Sequence, residues 1–249
     1  MTDILLCGAN GKMGRVIENV ISGREDMRVV AGVDLNTNAY GSFPIYSSID
    51  EFDGKADVII DFSHPMLLKT LLPYAVRTGT PLVAATTGYS EEQLAAIREA
   101  SGKVAVFFTF NMSLGVNLLL DLARKAVTVL GDQFDVEIVE KHHNQKIDAP
   151  SGTAIMLANA LNEAAGNRYR YEYDRHSKRQ KREKNEIGIH SVRGGTIVGE
   201  HEVIFAGRDE ILTLTHTAMS KEVFAVGAVN AAGFLKGKSA GLYQMSDLL

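Results

Sequence analysis

The apolar residues of this chain follow two different patterns, and the change between them lies near residue 112. Before that point, short unbroken apolar runs alternate with longer segments in which apolar residues recur every three or four positions. Short unbroken runs are typical of strands buried on both faces, and the wider spacing is typical of helices. The runs lie at residues 4–7, 29–33, 56–62, 81–85 and 103–108. Strands that alternate with helices predict a Rossmann-type, doubly wound parallel α/β sheet.

Beyond residue 112, a long apolar helix pattern leads into segments that alternate between apolar and polar residues. Alternating segments lie at residues 135–140, 187–192, 197–205 and 211–216. Glycines separate the last three of them, and strands joined by glycine turns predict an antiparallel meander. We therefore expect a second, α+β domain with a mixed or antiparallel sheet.

A glycine-rich turn follows the first predicted strand and precedes a helical pattern. It reads Gly8-Ala9-Asn10-Gly11-Lys12-Met13-Gly14. Strand, glycine turn and helix are the context of a dinucleotide fingerprint, in which the backbone approaches a pyrophosphate at the helix N-terminus. The spacing Gly-x-x-Gly-x-x-Gly differs from the standard Gly-x-Gly-x-x-Gly, and many tight turns look similar. This segment alone therefore leaves both interpretations open.

Asp34 strengthens the nucleotide interpretation. It ends the second apolar run and lies twenty residues beyond Gly14, where an acidic residue holds the ribose hydroxyls of a dinucleotide. The plainer interpretation is a solvated aspartate at a strand end. Leu35 stands where an arginine would help to bind a 2′-phosphate, and Lys12 is the only nearby cation visible in the sequence. We expect NADH or NADPH as cofactor, with NADH used at least as well as NADPH.

Two further predicted strands end in segments that belong to the same edge of the sheet. Ligands of doubly wound sheets lie beyond the carboxyl ends of the strands. The residues at these ends are Ala85, Thr86 and Thr87 after the fourth apolar run, and Thr109, Phe110, Asn111 and Met112 after the fifth. We expect them to line the cofactor site.

The stretch from Glu140 to Ala154 carries most of the candidate chemistry. It reads Glu-Lys-His-His-Asn-Gln-Lys-Ile-Asp-Ala-Pro-Ser-Gly-Thr-Ala. His142 and His143 point to opposite sides if the chain is extended here, and Lys146 lies within reach of either. The amides that open the next helix attract anions; they belong to Ser151, Gly152 and Thr153. The stretch thus offers an acid/base, a cation and an anion site, where the plainer interpretation is a polar loop with solvated histidines.

Composition and charge exclude several classes of protein. The chain is 45% hydrophobic with a formal net charge of −4, so it has no general attraction to nucleic acid or anionic lipid. No apolar run approaches the roughly 18 residues of a membrane span, and the N-terminus lacks the basic region of a signal peptide. The single cysteine, Cys7, cannot form an internal disulfide. We therefore expect a cytoplasmic protein with no membrane or nucleic-acid partner. The sequence also shows no Cys/His spacing typical of a metal site.

Residues 168–184 depart from this overall balance. They contain eight Lys/Arg residues and three acidic residues, interleaved with tyrosines. Such a run predicts a solvated and mobile surface loop, and nucleic-acid binding is the less favoured interpretation.

The stretch from Glu140 to Ala154 resembles the signature of bacterial dihydrodipicolinate reductases, more fully 4-hydroxy-tetrahydrodipicolinate reductases. The resemblance covers nearly the whole chain and includes residues 191–195, 198–201 and 215–220. It implies that NAD(P)H reduces 4-hydroxy-tetrahydrodipicolinate, or the dehydrated dihydrodipicolinate, to tetrahydrodipicolinate in the diaminopimelate route to lysine. The substrate is then a small cyclic dicarboxylate.

The resemblance also implies roles for residues and domains. His142 matches the proton donor/acceptor of the family and Lys146 its second proton donor. The substrate carboxylates would be held by His143, Lys146, Ser151, Gly152 and Thr153. The implied domains are a dinucleotide-binding domain of residues 1–112 and 222–249 and a substrate-binding and oligomerisation domain of residues 113–221, assembled as a homotetramer.

Two alternatives remain open on the sequence. One is an NAD(P)-dependent reductase of another small carboxylate, such as an aspartate-semialdehyde or homoserine dehydrogenase, which would share the first half but not the His-His stretch. The other is a non-catalytic NAD(H)-sensing regulator that binds DNA through the basic segment, although no helix-turn-helix pattern supports it.

Overall fold

The computed structural model describes residues 1–248, and within them the chain forms two compact units. Unit 1 comprises Met1–Ser113 together with the segment that begins at Glu222. Unit 2 comprises Leu114–Lys221. Each unit has its own sheet and its own apolar core.

Within residues 1–248 the two units together contain twelve strands and six α-helices. The strands are β1 (Thr2–Cys7), β2 (Met27–Val33), β3 (Ile45–Tyr46), β4 (Val58–Asp61), β5 (Leu82–Ala84), β6 (Ala105–Phe108), β7 (Asp135–His142), β8 (Arg170–Glu172), β9 (Glu186–Arg193), β10 (Gly199–Ala206), β11 (Ile211–Ala218) and β12 (Gly241–Tyr243). The helices are α1 (Lys12–Ser22), α2 (Leu68–Thr78), α3 (Glu91–Ser101), α4 (Leu114–Leu130), α5 (Gly152–Ala164) and α6 (Glu222–Leu235). None of these helices combines the length and the hydrophobicity that a transmembrane segment requires.

Unit 1 is built on a parallel sheet with the strand order β12-β6-β5-β4-β1-β2-β3. Successive residues of a strand face opposite sides, so β1 sends Ile4 and Leu6 into one core and Leu5 and Cys7 into the other. Helices α1 and α6 pack on the first side and α2 and α3 on the second. This confirms the predicted doubly wound sheet. The short edge strands β3 and β12 were not expected from the sequence.

The order of strands in unit 1 places the glycine turn at the switch point of the sheet. Strand β1 lies between β2 and β4, and the chain leaves the sheet in opposite directions from this centre. Ligands of doubly wound sheets bind at this point, beyond the carboxyl ends of the strands.

Unit 2 is built on a mixed sheet with the strand order β11-β10-β7-β9-β8. Strand β10 is antiparallel to β7 and β11, whereas β7, β9 and β8 run parallel to one another. The mixed sheet agrees with the expected fold class, but the antiparallel meander is wrong for β9 and β10. They lie on opposite sides of β7, because the segment that connects β9 to β10 passes over the end of β7. At the crossing, the Gly194 N–H donates to the His142 carbonyl oxygen at 2.9 Å.

The basic segment agrees only in part with the predicted solvated loop: residues 176–181 are exposed, but other parts of the segment are ordered on the sheet. Its first part forms strand β8, and residues 173–185 then carry the chain back so that β9 can run parallel to β8. A parallel connection needs about a dozen residues, which explains the length of this segment. Arg175 pairs with the buried Glu186 at 2.6 Å, and Arg182 pairs with Asp135 at 2.8 Å and Glu137 at 2.9 Å. These basic groups are therefore engaged with acidic groups of their own sheet.

Candidate active site

The glycine turn of unit 1 is a backbone structure that only small residues allow. Gly8 has a positive φ of 78°, and its N–H donates to the Val33 carbonyl oxygen at 2.8 Å. A Cβ at Gly14 would overlap the carbonyl oxygens of Gly8 and Ala9, so α1 can start this close to β1 only with glycine there. No side chain of the described residues caps α1 at Gly11. The first amides of α1 are thus arranged as a dinucleotide pyrophosphate requires.

Asp34 lies at the end of β2 beside this turn. Its Oδ2 accepts a hydrogen bond from the Asn10 N–H at 2.9 Å, and its Oδ1 accepts one from the Asn36 N–H at 3.0 Å. The side chain is half-buried. Each carboxylate oxygen can accept a further bond, so Asp34 both fixes the glycine turn and keeps acceptor capacity for ribose hydroxyls.

The structure corrects the expectation that Lys12 is the only cation near this edge. The Arg15 guanidinium donates to the Asn10 Oδ1 at 2.8 Å and stacks on the Tyr40 ring, 4.1 Å from its centroid. The Tyr40 hydroxyl in turn donates to the Ala9 carbonyl oxygen at 2.8 Å. Arg15 directly follows the fingerprint on α1, and its link to Tyr40 joins segments that lie apart in sequence.

The ends of β4 and β5 are joined through a buried carboxylate, Asp61. Its Oδ2 accepts hydrogen bonds from the hydroxyls of Thr86 at 2.9 Å and Tyr89 at 3.0 Å. The Ser63 N–H donates to Asp61 Oδ1 at 3.2 Å. Burial raises the pKa of Asp61, and these donors oppose that rise. Thr86 thus fixes the loop by its side chain, whereas its neighbours differ in exposure: Ala85 is buried and Thr87 is exposed.

The end of β6 forms a compact turn of the same edge. The Thr109 hydroxyl donates to the Asn111 carbonyl oxygen at 3.2 Å. Met112 is buried in the core, whereas Phe110 is 67% exposed and packs edge-on against Phe108 with ring centroids 5.1 Å apart. The four strand ends of unit 1 therefore bring together the residues that the sequence analysis assigned to the cofactor.

In unit 2 the candidate chemistry begins on the buried face of β7. Val136 and Ile138 occupy this face within the apolar core, and Glu140 and His142 continue it toward the end of the strand. A strand presents every second residue to one side, so Glu140 is held next to His142 by the pleat itself. His143 follows on the other side and is partly exposed.

Glu140 is the most strongly bound group of this site. It has no exposed surface, and both its oxygens accept hydrogen bonds at 2.7 Å from the Arg193 guanidinium. The Ser151 N–H donates to Oε1 at 3.1 Å, and His142 Nδ1 lies 2.6 Å from Oε2. Burial acts to raise the pKa of Glu140, but the donors outweigh it and hold this pKa at about 2. The carboxylate is therefore ionised at neutral pH.

His142 on β7 and His201 on the paired strand β10 meet edge to face, with ring centroids 5.2 Å apart. Burial lowers the pKa of His142, and Glu140 partly offsets this effect. Burial and the neighbouring His142 lower the pKa of His201 to about 4, so His201 is neutral at physiological pH. His201 Nε2 lies 2.9 Å from the Ser151 hydroxyl oxygen.

The loop after β7 carries the cation and leads to the N-terminus of α5. The Lys146 ammonium pairs with Asp148 Oδ1 at 2.8 Å. Its charge contributes to lowering the pKa of His142. Ser151 caps α5 by accepting from the Ala154 N–H at 3.2 Å. Gly152 is exposed and Thr153 is partly exposed at the first turn of α5.

Comparison with known proteins identifies the family to which this chain belongs. Residues 2–112 match the model of the dihydrodipicolinate reductase N-terminus, and residues 115–249 match that of the C-terminus. The chain belongs to the dihydrodipicolinate reductase family. It is therefore an NAD(P)H-dependent oxidoreductase.

Relatives of the same family support this assignment over the full length. A 4-hydroxy-tetrahydrodipicolinate reductase of Caldanaerobacter subterraneus subsp. tengcongensis is 50% identical over 249 residues, which are 100% of this chain and 98% of the relative. One of Clostridium novyi is 47% identical with the same coverage. The dipicolinate-bound dihydrodipicolinate reductase of Paenisporosarcina sp. TG-14 superposes with a TM-score of 0.84 at 26% identity, and 100% of each chain is covered. The family places this reductase in the diaminopimelate route to lysine, and the alternative dehydrogenases are not favoured.

The structure adds residues that the sequence analysis did not assign to the site. Glu140 begins the stretch that carries the candidate chemistry, and Arg193 and His201 lie in segments that resemble the family. The sequence alone assigned no catalytic or binding role to any of the three. The period of two along β7 is the signal that connects Glu140 with His142. No local signal connects them with Arg193 and His201, which reach the site only through the pairing of β9 and β10 with β7.

Proposed function

We propose that this reductase converts 4-hydroxy-tetrahydrodipicolinate, or the dehydrated dihydrodipicolinate, to tetrahydrodipicolinate, and that His142 delivers the proton. The observation that carries the proposal is the buried His142 bonded to an ionised Glu140, which also accepts from the Ser151 N–H at the N-terminus of α5, with the Lys146 ammonium in the loop between them. An acid/base next to two anion-binding groups suits a small dicarboxylate that must gain a proton.

The carboxylates of the substrate are proposed to bind to Lys146, to His143 and to the first turn of α5. The relative from Paenisporosarcina binds dipicolinate, a planar pyridine-2,6-dicarboxylate of similar shape. Lys146 pairs with Asp148 at 2.8 Å, so a substrate carboxylate that binds Lys146 competes with this internal carboxylate. The turn is formed by Ser151, Gly152 and Thr153.

A bound reduced nicotinamide supplies the hydride. The residues of this chain do the rest: they position the conjugated imine and supply the proton that the electron-rich product of hydride addition needs. His142 donates this proton in its imidazolium form, and Lys146 serves as a second donor. Histidine suits the task because its unperturbed pKa lies near neutral pH, and Glu140 favours the imidazolium form against the burial that lowers the pKa of His142.

The cofactor is proposed to lie along the strand ends of unit 1, with its pyrophosphate at the N-terminus of α1 and its ribose on Asp34. We propose that NADH is used at least as well as NADPH. The Asp34 carboxylate repels a 2′-phosphate, and Leu35, 96% exposed, offers no charge to offset it. The proposed contacts are Gly8, Ala9, Asn10, Gly11, Lys12, Met13, Gly14, Asp34, Ala85, Thr86, Thr87, Thr109, Phe110, Asn111 and Met112.

A homotetramer formed through the sheet of unit 2 remains part of the proposal. Helices α4 and α5 share one core with the same face of this sheet. Its other face carries the half-buried Val139 and Ile204 among charged residues, and no helix of unit 2 contributes to a core there within the described residues. Light scattering coupled to gel filtration measures the mass directly, and a monomer of 27.1 kDa at micromolar concentration contradicts the tetramer.

The test of the proposed reaction is NADH and NADPH oxidation at 340 nm with the freshly formed product of a dihydrodipicolinate synthase. We expect oxidation that depends on both the synthase and this reductase. Aspartate semialdehyde, supplied alone, is the control for the alternative dehydrogenase. Oxidation with the semialdehyde but not with the synthase product would sink the proposal.

A further inference from the structure

We propose that Glu140 and Gly199 are positioning residues that make Nε2 of His142 the nitrogen that exchanges the proton. Glu140 holds the hydrogen on Nδ1, and Gly199 accommodates the ring edge that carries Nε2, which a side chain at this position would crowd. This inference rests on the proposed role of His142, but it concerns the protonation pattern of a ring that can be observed without any substrate.

The argument for Nδ1 starts from the ionised state of Glu140. A carboxylate only accepts hydrogen bonds, and its Oε2 lies 2.6 Å from His142 Nδ1, so Nδ1 must carry the hydrogen. Two bonds from Arg193 and one from the Ser151 N–H hold the carboxylate in place. The neutral ring is therefore the Nδ1–H tautomer, and Nε2 is its only basic nitrogen.

The argument for Nε2 starts from Gly199 at the beginning of β10. A Cβ built on Gly199 would lie 3.1 Å from His142 Nε2 and 3.4 Å from Cδ2. This is tighter than ordinary van der Waals contact, so any side chain at position 199 would press on the ring edge that carries Nε2. The φ angle of Gly199 is not in the left-handed region. Space at the ring is therefore the structural reason for glycine here.

In this arrangement a single nitrogen, Nε2, both donates the proton and receives its replacement. The Nε2–H bond of the imidazolium breaks as the proton moves to the electron-rich intermediate, and the Nδ1–H bond to Glu140 stays intact. The ring becomes the neutral Nδ1–H tautomer, and solvent returns a proton to Nε2. The charged and titratable groups that act on the ring are Glu140 on its own strand, Arg193 on β9, His201 on β10 and Lys146 in the loop.

A second glutamate–histidine pair, Glu137 on β7 and His190 on β9, serves as an internal control. Glu137 Oε2 lies 2.8 Å from His190 Nε2, and the side chain of His190 is 40% exposed. This pair lies on the face of β7 opposite to Glu140. Glu137→Gln therefore makes the same chemical change on the same strand, away from His142.

The experiment compares the wild type with Glu140→Gln, Gly199→Ala and Glu137→Gln by ¹⁵N-detected imidazole NMR of the substrate-free protein, followed by pH profiles of kcat. We expect the neutral His142 ring of the wild type to be protonated at Nδ1. In Glu140→Gln the side-chain amide can donate to Nδ1, so the ring should change to the Nε2–H tautomer. We expect kcat to fall about 10²-fold, the scale of general acid–base catalysis, and the alkaline limb of the profile to move to lower pH because the anion that favours the imidazolium is gone.

Gly199→Ala tests the steric role of position 199 while leaving the charge of Glu140 unchanged. We expect it to keep the Nδ1–H tautomer and still lower kcat about tenfold or more, because a methyl group at Nε2 hinders proton transfer within the range of general acid–base effects. Glu137→Gln should change neither the His142 tautomer nor kcat by more than about twofold, because Glu137 lies on the opposite face of β7 and bonds to Arg182 and His190 and not to His142. Far-UV circular dichroism checks that each variant is folded.

Three results would overturn the inference. They are an Nε2–H tautomer of His142 in the wild type, an unchanged tautomer in a folded Glu140→Gln, and full activity of Gly199→Ala. If Glu140→Gln does not fold, the wild-type spectrum and Gly199→Ala still decide the question. The expected tautomers without any turnover of the synthase product would instead contradict the proposed function and leave the positioning intact.

Discussion

Two carboxylates, Asp34 in unit 1 and Glu140 in unit 2, show how differently the candidate sites of the two units are built. Asp34 is half-buried and binds two backbone amides, those of Asn10 and Asn36. Glu140 is fully buried and binds a guanidinium, an imidazole and one amide. The first carboxylate fixes a loop, and the second sets the state of another side chain.

The difference follows from what each part has to do. Unit 1 presents main-chain amides around a glycine turn, and amides do not titrate between pH 4 and 9, so their function is fixed by geometry. Unit 2 presents histidines in a buried environment, where burial and neighbouring charges control the protonation state. We therefore expect pH and charge-changing substitutions to act mainly on unit 2 and mainly on turnover.

The largest expected effect concerns stability in acid. The pKa of His201 is about 4 in the folded protein against about 6.5 for an unperturbed histidine, so the unfolded chain binds the extra proton more readily. Stability due to neutral His201 is complete above pH 6.5 and is lost as the pH falls to 4, by about 3 kcal/mol. His201→Gln should remove this loss. Urea unfolding at pH 7.0, 5.5 and 4.0, followed by circular dichroism, measures the difference between the two proteins.

His176→Gln is the matched control, because His176 is exposed in the basic segment. It should follow the wild type at each pH. Parallel pH dependence of the wild type and His201→Gln would contradict the buried, neutral state of His201.

The next effect concerns turnover. His142→Gln removes the proposed proton donor, so kcat should fall about 10²-fold, the usual scale of general acid–base catalysis. The NADH dissociation constant, measured by fluorescence titration, should be unchanged because the glycine turn does not involve this ring. Near-normal turnover would remove His142 from the mechanism. A large change in NADH affinity would break the separation of roles between the two units.

A smaller effect is expected for the cation. Lys146→Ala should weaken dipicolinate binding about tenfold and lower kcat/KM, because a hydrogen bond to a charged group contributes about 1.5 kcal/mol or more. Lys141→Ala is the control, since Lys141 lies on the same strand as His142 and pairs with Glu200 and not with the loop. Inhibition kinetics with dipicolinate give the constants. If dipicolinate competed with NADH and not with the substrate, the assignment of the anion site to unit 2 would be wrong.

The same contrast explains which features could be predicted from the sequence. The strand, turn and helix around Gly8–Gly14 and the period of two in β7 are local, so their patterns are visible in one stretch of chain. Edge strands β3 and β12 have two and three residues, too few for a pattern. The positions of β9 and β10 on either side of β7 depend on a crossover that glycine turns do not encode, and Arg193 reaches Glu140 only through that arrangement.

The smallest expected effect is the choice between NADH and NADPH. Asp34 can accept from both ribose hydroxyls, and it places like charge against a 2′-phosphate. Arg15 is the cation that the sequence did not reveal, but its guanidinium is bonded to Asn10 and stacked on Tyr40. We therefore expect kcat/KM for NADH to equal or exceed that for NADPH.

The deciding measurement is kcat/KM for both cofactors at one substrate concentration, at low and at high ionic strength. NADPH use should weaken more with salt, because a flexible Lys12 binds phosphate only as a point charge. Arg15→Ala and Lys12→Ala identify the cation that contributes: the variant that lowers kcat/KM for NADPH but not for NADH marks it. A preference for NADPH of tenfold, about 1.4 kcal/mol, that is lost in Arg15→Ala would show that Arg15 leaves Tyr40 to bind the 2′-phosphate. The Asp34 site would then depend on a side chain, as the Glu140 site does.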